Sequence, residues 1–247
     1  MSGNLQPSLA DLLAYLGEMG YGDLYLRPSG EAAPEAAASQ PSADKPAPAA
    51  PLTGEIAERA AELATMAATV AGCTRCRLCE GRTQAVFGAG NPDADLMFIG
   101  EGPGAEEDRR GLPFVGAAGE LLTRIIQAIE MSREEVYIAN VVKCRPPGNR
   151  DPQPDEVAAC RGYLERQIAL VRPKIIVALG RIAAQTLLGN DMPIGRMRGR
   201  WFRVQDVPTM VTYHPAALLR NSALKRPTWE DMQLVRDFLR SGSPPSP

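Results

Sequence analysis

Several things are scarce in this 247-residue chain. Aromatic side chains make up 5% of it, so any core must be mainly aliphatic. No apolar run approaches the ~20 residues that a membrane-spanning helix needs, so no membrane insertion is expected. The opening residues lack a basic stretch followed by an apolar one, and no Arg-rich transit pattern is seen, so a cytoplasmic protein is expected. Cysteine is sparse and odd in number, five in all. Without an export signal, that count argues against a disulfide framework and puts metal or cluster ligation first. There is one histidine, and no Gly-Lys-Ser/Thr, which excludes a Walker-type phosphate loop. Nothing repeats with a fixed period.

What is present is an ordinary hydrophobic content of 45%, enough for a sizeable core. The net charge of −2 hides an asymmetry. Residues 1–72 carry 3 basic and 9 acidic side chains, and residues 73–247 carry 24 basic and 20 acidic. The second part, at net +4, has a mild lean toward a polyanionic partner.

Residues 1–27 contain one short amphipathic helical pattern, LQPSLADLLAYLGEMG, and residues 28–52 form a Pro/Ala-rich linker expected to be disordered. The folded body is expected over 53–247. Within it, apolar β-rich runs alternate with helical patterns. DLMFIG (95–100), VYIANVV (136–142) and KIIVALG (174–180) read as buried strands, with RWFRVQD (200–206) and PTMVTY (208–213) as further strands. Helical periodicity marks 55–72, 118–130, 154–171, 181–189 and 229–241. This alternation predicts an α/β fold with a largely parallel sheet and helices on both faces. Ligands of such sheets bind beyond the carboxyl ends of the strands, so the loops after DLMFIG, VYIANVV and PTMVTY are expected to meet in one cleft.

The first of those loops, GEGPGAEEDRRGLPFVGAAG (100–119), formally carries a dinucleotide fingerprint, Gly100-x-Gly102-x-x-Ala105. Charge rejects that reading: Glu106, Glu107 and Asp108 would repel a pyrophosphate, and Pro103 removes a backbone donor. Cys73 and Cys76 form C-x2-C, and Cys144 and Cys160 follow at distance. Four such cysteines suit a tetrahedral thiolate site, either a 4Fe-4S cluster or zinc, while buried cysteines without a metal remain an alternative. Cys79 is the expected non-ligand, unless it replaces Cys76.

Taken together, GEGPGxxED followed by GxPFVGxAGxLL, then N-V-V-K-C-R-P-P, then H-P-A-x-L-L-R-N, with the four cysteines, resemble the family 4 uracil-DNA glycosylases, the iron–sulfur members of that superfamily. The resemblance covers about residues 60–240. It implies a three-layer sandwich with a central, mostly parallel four-stranded sheet, preceded here by a flexible N-terminal extension. It implies a 4Fe-4S cluster on Cys73, Cys76, Cys144 and Cys160, with a structural role. It also implies hydrolysis of the N-glycosidic bond of a uracil flipped out of DNA, leaving an abasic site.

On that resemblance, Asn140 reads the uracil edge, Phe114 stacks on the base, His214 donates to uracil O2, and Glu101 positions water or offsets charge on the sugar. The backbone at Gly102 and Pro103 lines the base. Leu218 and Leu219 are the expected wedge into DNA, and Arg220, Lys225 and Arg226 the expected phosphate contacts, with the basic run 195–200 as a second phosphate candidate. Other branches of the superfamily carry an aspartate where Gly102 stands, so the water-activating group is an open point of the sequence. The expected partner is uracil-containing DNA, single- or double-stranded, bound by a monomer, with a replication or repair partner for the N-terminal segment. The competing reading is a non-turnover uracil-DNA binder or an iron–sulfur nucleic-acid-binding protein. The absence of a basic insertion before His214 favours turnover.

Overall fold

The computed structural model describes residues 54–242. The expected N-terminal helix and the Pro/Ala-rich linker lie outside the described residues. The body opens with helix α1 (Glu55–Ala71) and a single helical turn, α2 (Leu78–Gly81), around the first three cysteines. There follow β1 (Ala89–Gly90), β2 (Leu96–Gly100), α3 (Ala105–Arg110), α4 (Ala117–Ala128), β3 (Tyr137–Asn140), α5 (Pro154–Val171) and β4 (Ile175–Leu179). The chain closes with α6 (Arg181–Leu188), α7 (Ile194–Met197), β5 (Trp201–Val204), β6 (Val207–Thr212), α8 (Pro215–Arg220) and α9 (Lys225–Ser241). Among the described residues, no helix is long and apolar enough to cross a membrane.

The strands form one sheet in the order β1-β3-β2-β4-β6-β5. The four inner strands are mutually parallel, and β1 and β5 pair antiparallel at the two edges. The sheet therefore has six strands rather than four: the expected parallel centre is present, framed by two short edges. β1 is two residues long, below what an alternation pattern can signal. Antiparallel strands at the rim are a common termination of a parallel sheet.

Side-chain alternation builds the layers. In β2, Leu96 and Phe98 join one core and Met97 and Ile99 the other, all without exposed surface. Leu122 and Ile126 of α4, with Met232, Val235 and Phe238 of α9, cover the first face. Leu63 and Val70 of α1, Leu164 and Ile168 of α5, and Ala183 and Ala184 of α6 cover the second. This is the three-layer arrangement expected from strands apolar on both sides.

Local signals place most helix ends. Pro154 occupies the first turn of α5, and the Glu156 carboxylate accepts from the Gln153 backbone N–H at 2.8 Å. α9 begins four residues earlier than expected and takes Pro227 into its first turn, where the missing N–H would have had no helical partner.

The apolar layers make one stability prediction. Leu122→Ala, at a site with no exposed surface, should cost about 2–5 kcal/mol in denaturant unfolding. The thermal midpoint should fall by roughly 2–4 °C for each kcal/mol lost.

Candidate active site

The parallel register brings Gly100 of β2 beside Asn140 of β3, at the carboxyl ends of both strands. The pairing continues past the strands: Val141 N–H donates to Gly100 O at 2.9 Å and Val142 N–H to Glu101 O at 3.1 Å. β2 lies where the order turns, with β3 on one side and β4 on the other, the usual place for a cleft in such sheets. A cavity of about 390 Å³ opens there. It is lined by Glu101, Gly102, Pro103, Phe114, Asn140 and His214, the six residues singled out in the sequence for the base and the reaction.

The acids of the glycine loop are ties rather than a phosphate site. Glu107 accepts from Gly104 N–H at 3.1 Å, Val115 N–H at 2.9 Å and Gly116 N–H at 3.0 Å. One carboxylate thus occupies three amides that a phosphate would otherwise attract. Asp108, buried, accepts from Thr83 N–H at 2.9 and 3.1 Å. Glu106 pairs with Arg109 at 2.5 Å on the surface.

Held by Glu107, the loop places Phe114 with φ of 52°, a left-handed conformation unusual for a bulky residue. Arg133 also donates to Pro113 O, one residue earlier. Phe114 is 6% exposed, and its ring centroid lies 5.5 Å from that of His214. Asn140 is 1% exposed, and its Oδ1 has no hydrogen-bond partner among the described residues. A buried orphan acceptor of this kind is rare unless something else is meant to meet it.

His214 caps α8, its Nδ1 accepting from Ala216 N–H at 3.2 Å. In the neutral ring the proton therefore sits on Nε2. Burial, reinforced by Arg220 and opposed by Glu107, pulls its pKa down to about 4. Gly180, at φ of 91°, makes room: a Cβ there would lie 2.9 Å from that of His214. Burial, with the Asp151 carboxylate adding and Arg181 opposing, pushes Glu101 up to about 7.

Residues 146–151 form another wall through Pro146, which lies in the motif N-V-V-K-C-R-P-P, and through Arg150 and Asp151, which the sequence did not single out. Arg150 is locked by Glu156, which has no exposed surface and accepts from it at 2.7 and 2.8 Å. Glu156 also takes Arg77 Nε at 3.1 Å, and these contacts, the Arg150 bond first, hold its pKa at about 2. The only advance signal was the turn-rich run P-P-G-N-R-D after Cys144. On α8, Leu218 is buried in the domain at 3% exposure, so it is packing. Leu219 at 48% is the outward residue, and Arg220 lines the cleft.

The cysteines gather elsewhere. Cys73, Cys76, Cys144 and Cys160, with Cys79, line one cavity, and none is in a disulfide. Arg82 donates to Cys144 Sγ at 3.2 Å and to Cys73 O at 2.7 Å. Among the described residues no three His, Cys, Asp or Glu side chains are grouped so as to hold a single metal ion. The thiols surround a space instead.

The family described as the uracil DNA glycosylase superfamily matches residues 87–233. The chain is 46% identical over 178 residues to a type-4 uracil-DNA glycosylase of Sulfurisphaera tokodaii, covering 68% of this chain and 81% of that protein. A type-4 enzyme of Saccharolobus solfataricus is 47% identical, over 68% of this chain and 82% of its own. One from Archaeoglobus fulgidus is 42% identical, over 71% and 92%.

The closeness of β2 and β3 can be tested. A Cβ on Gly100 would lie 2.5 Å from Asn140 Oδ1 and 2.6 Å from the Phe114 ring. Gly100→Ala should lower unfolding free energy by about 1–3 kcal/mol through overpacking, with the far-UV circular dichroism unchanged.

Proposed function

The chain belongs to the uracil-DNA glycosylase superfamily, among the type-4 enzymes, and excises uracil from DNA in repair; we propose that the cleft at the ends of β2, β3 and β6 performs the hydrolysis. The observation that carries this reading is the unpartnered Oδ1 of buried Asn140 beside Phe114 and His214.

The bond between C1′ and the base is hidden in a duplex, so the base must first leave the stack. Asn140 Oδ1 then accepts from uracil N3–H, and its Nδ2 donates to O4. Cytosine presents an acceptor and a donor at these places, reversing both contacts. Unpaired polar groups in a buried pocket cost about 1–3 kcal/mol each. Phe114 stacks on the ring, and Gly102 and Pro103 line its edge. As the C1′–N1 bond breaks, its electron pair passes to the base, and His214 Nε2–H stabilises the charge growing on O2. Glu101, ionised, orients the water whose oxygen bonds to C1′ and accepts the proton released. Leu219 is the wedge that fills the vacated stack, with Leu218 anchoring it from below, and Arg220 meets a phosphate. Both single- and double-stranded uracil DNA are substrates on this reading.

Cys73, Cys76, Cys144 and Cys160 would hold a 4Fe-4S cluster, leaving Cys79 unligated. The donor set supports this: five free thiols line one cavity, enough for four ligands, with the Arg82 guanidinium beside Cys144 to balance thiolate charge. When bound, the cluster supplies Fe–S cross-links that join the 73–76 turn, the segment after β3 and helix α5.

Excision of uracil from an oligonucleotide tests the mechanism. Asn140→Ala and His214→Ala should each lower kcat/KM by roughly 100- to 1,000-fold while iron content and visible absorbance stay at the wild-type level. A fully active His214→Ala enzyme removes the leaving-group role.

A pH profile tests Glu101. Its carboxylate is protonated below about 7 and ionised above. The kcat/KM of the wild type should therefore rise with pH through that value, while His214, neutral above about 4, adds no limb near neutrality. Glu101→Gln should flatten the limb and lower the plateau about 100-fold.

A further inference from the structure

Lys143 carries a buried amine that the mechanism above does not use. It is 1% exposed, and an apolar side chain would fill the same space without the cost of burying a polar group. What the lysine adds is two strong hydrogen bonds. Nζ donates to Asn140 O at 2.8 Å and to Gln167 Oε1 at 2.5 Å. Gln167, fully buried, is itself fixed, because its Nε2 donates to Phe87 O at 2.9 Å and to the Tyr137 hydroxyl at 3.2 Å.

The first of these bonds completes a clamp. The peptide unit between Asn140 and Val141 has two polar atoms. Its N–H, on Val141, donates to Gly100 O at 2.9 Å, and its carbonyl, on Asn140, accepts from Lys143. With both ends tied, turning the plane would break a hydrogen bond, and the Cα–Cβ bond of Asn140 leaves from a fixed backbone. The same lysine lines the cysteine cavity.

We propose that Lys143 is a positioning residue for base recognition, fixing the peptide plane from which Asn140 presents its amide to uracil. It touches no atom of the base. The inference rests on Asn140 as the reader of uracil, so the test separates the two. The affinity of the iron-loaded enzyme for free uracil is measured by equilibrium dialysis, alongside kcat and KM on a single-stranded uracil oligonucleotide.

Lys143→Met should weaken uracil binding and lower kcat by roughly 10- to 100-fold, with wild-type iron per chain. KM for the oligonucleotide should stay within about twofold, since the DNA-gripping surface is untouched. Gln167→Met, which leaves the lysine one acceptor short, should cost roughly three- to tenfold in the same quantities. An iron-loaded Lys143→Met enzyme with wild-type uracil affinity overturns the proposal, even if its melting temperature falls. If Lys143→Met is recovered unfolded or without iron, Gln167→Met decides, and unchanged uracil affinity there overturns it. Asn140→Ala serves as the control. Loss of uracil binding there, with none in Lys143→Met, overturns the positioning role alone, whereas wild-type binding by Asn140→Ala overturns the reading of Asn140 as well.

Discussion

The approach of β2 to β3 at their carboxyl ends sets the dimensions of the cleft. Their parallel pairing ends with Gly100 beside Asn140 and is prolonged by two backbone hydrogen bonds into the following loops. A hydrogen atom is all that position 100 can carry, because the Asn140 carboxamide and the Phe114 ring close over it. One register therefore brings the first carboxylate of the glycine loop, the amide at the end of β3 and the aromatic of the 113–116 turn to one cavity. The histidine arrives from β6, two strands away, through a helix start fitted against Gly180.

The domain handles charge near this cleft by saturating it. Glu107 is enclosed by three amides, Asp108 by one amide at two distances, and Glu156 by two arginines and an amide. Glu107 closes its own loop, Asp108 ties it to Thr83, and Glu156 reaches Arg77, so each of these carboxylates is occupied by structural contacts. Glu101, which lines the cleft, is different. It has no such saturation and lies near the Asp151 carboxylate, and burial lifts it toward neutrality. The contrast separates acids that build the loop from the one proposed to act.

Much of this was legible in the sequence, and the reason is positional. Asn140 and His214 follow apolar strands, and Phe114 lies in the glycine-rich turn after one. In a parallel sheet that location alone sends them to one edge. The parallel centre and both helical layers follow from runs apolar on both faces. What was not legible depends on approach through space. The acids 106–108 looked like an obstacle to a ligand because their backbone partners, Thr83, Val115 and Gly116, meet them only after folding. Arg150 and Asp151 lie in a turn-rich run and Lys143 within the motif N-V-V-K-C-R-P-P, but nothing local showed which groups they would meet. β1 is shorter than any periodicity, and the burial of Leu218 beside the exposure of Leu219 reflects the orientation of a six-residue helix.

That helix has a mechanical consequence. His214 is its cap, Leu219 its outward apolar residue and Arg220 its last, so one short helix carries both the imidazole and the surface proposed to meet the nucleic acid. On that proposal, seating and chemistry would not be adjusted independently. A duplex that failed to press the outer end home would leave the ring out of line at the inner end, and grip would act as an interlock on bond cleavage.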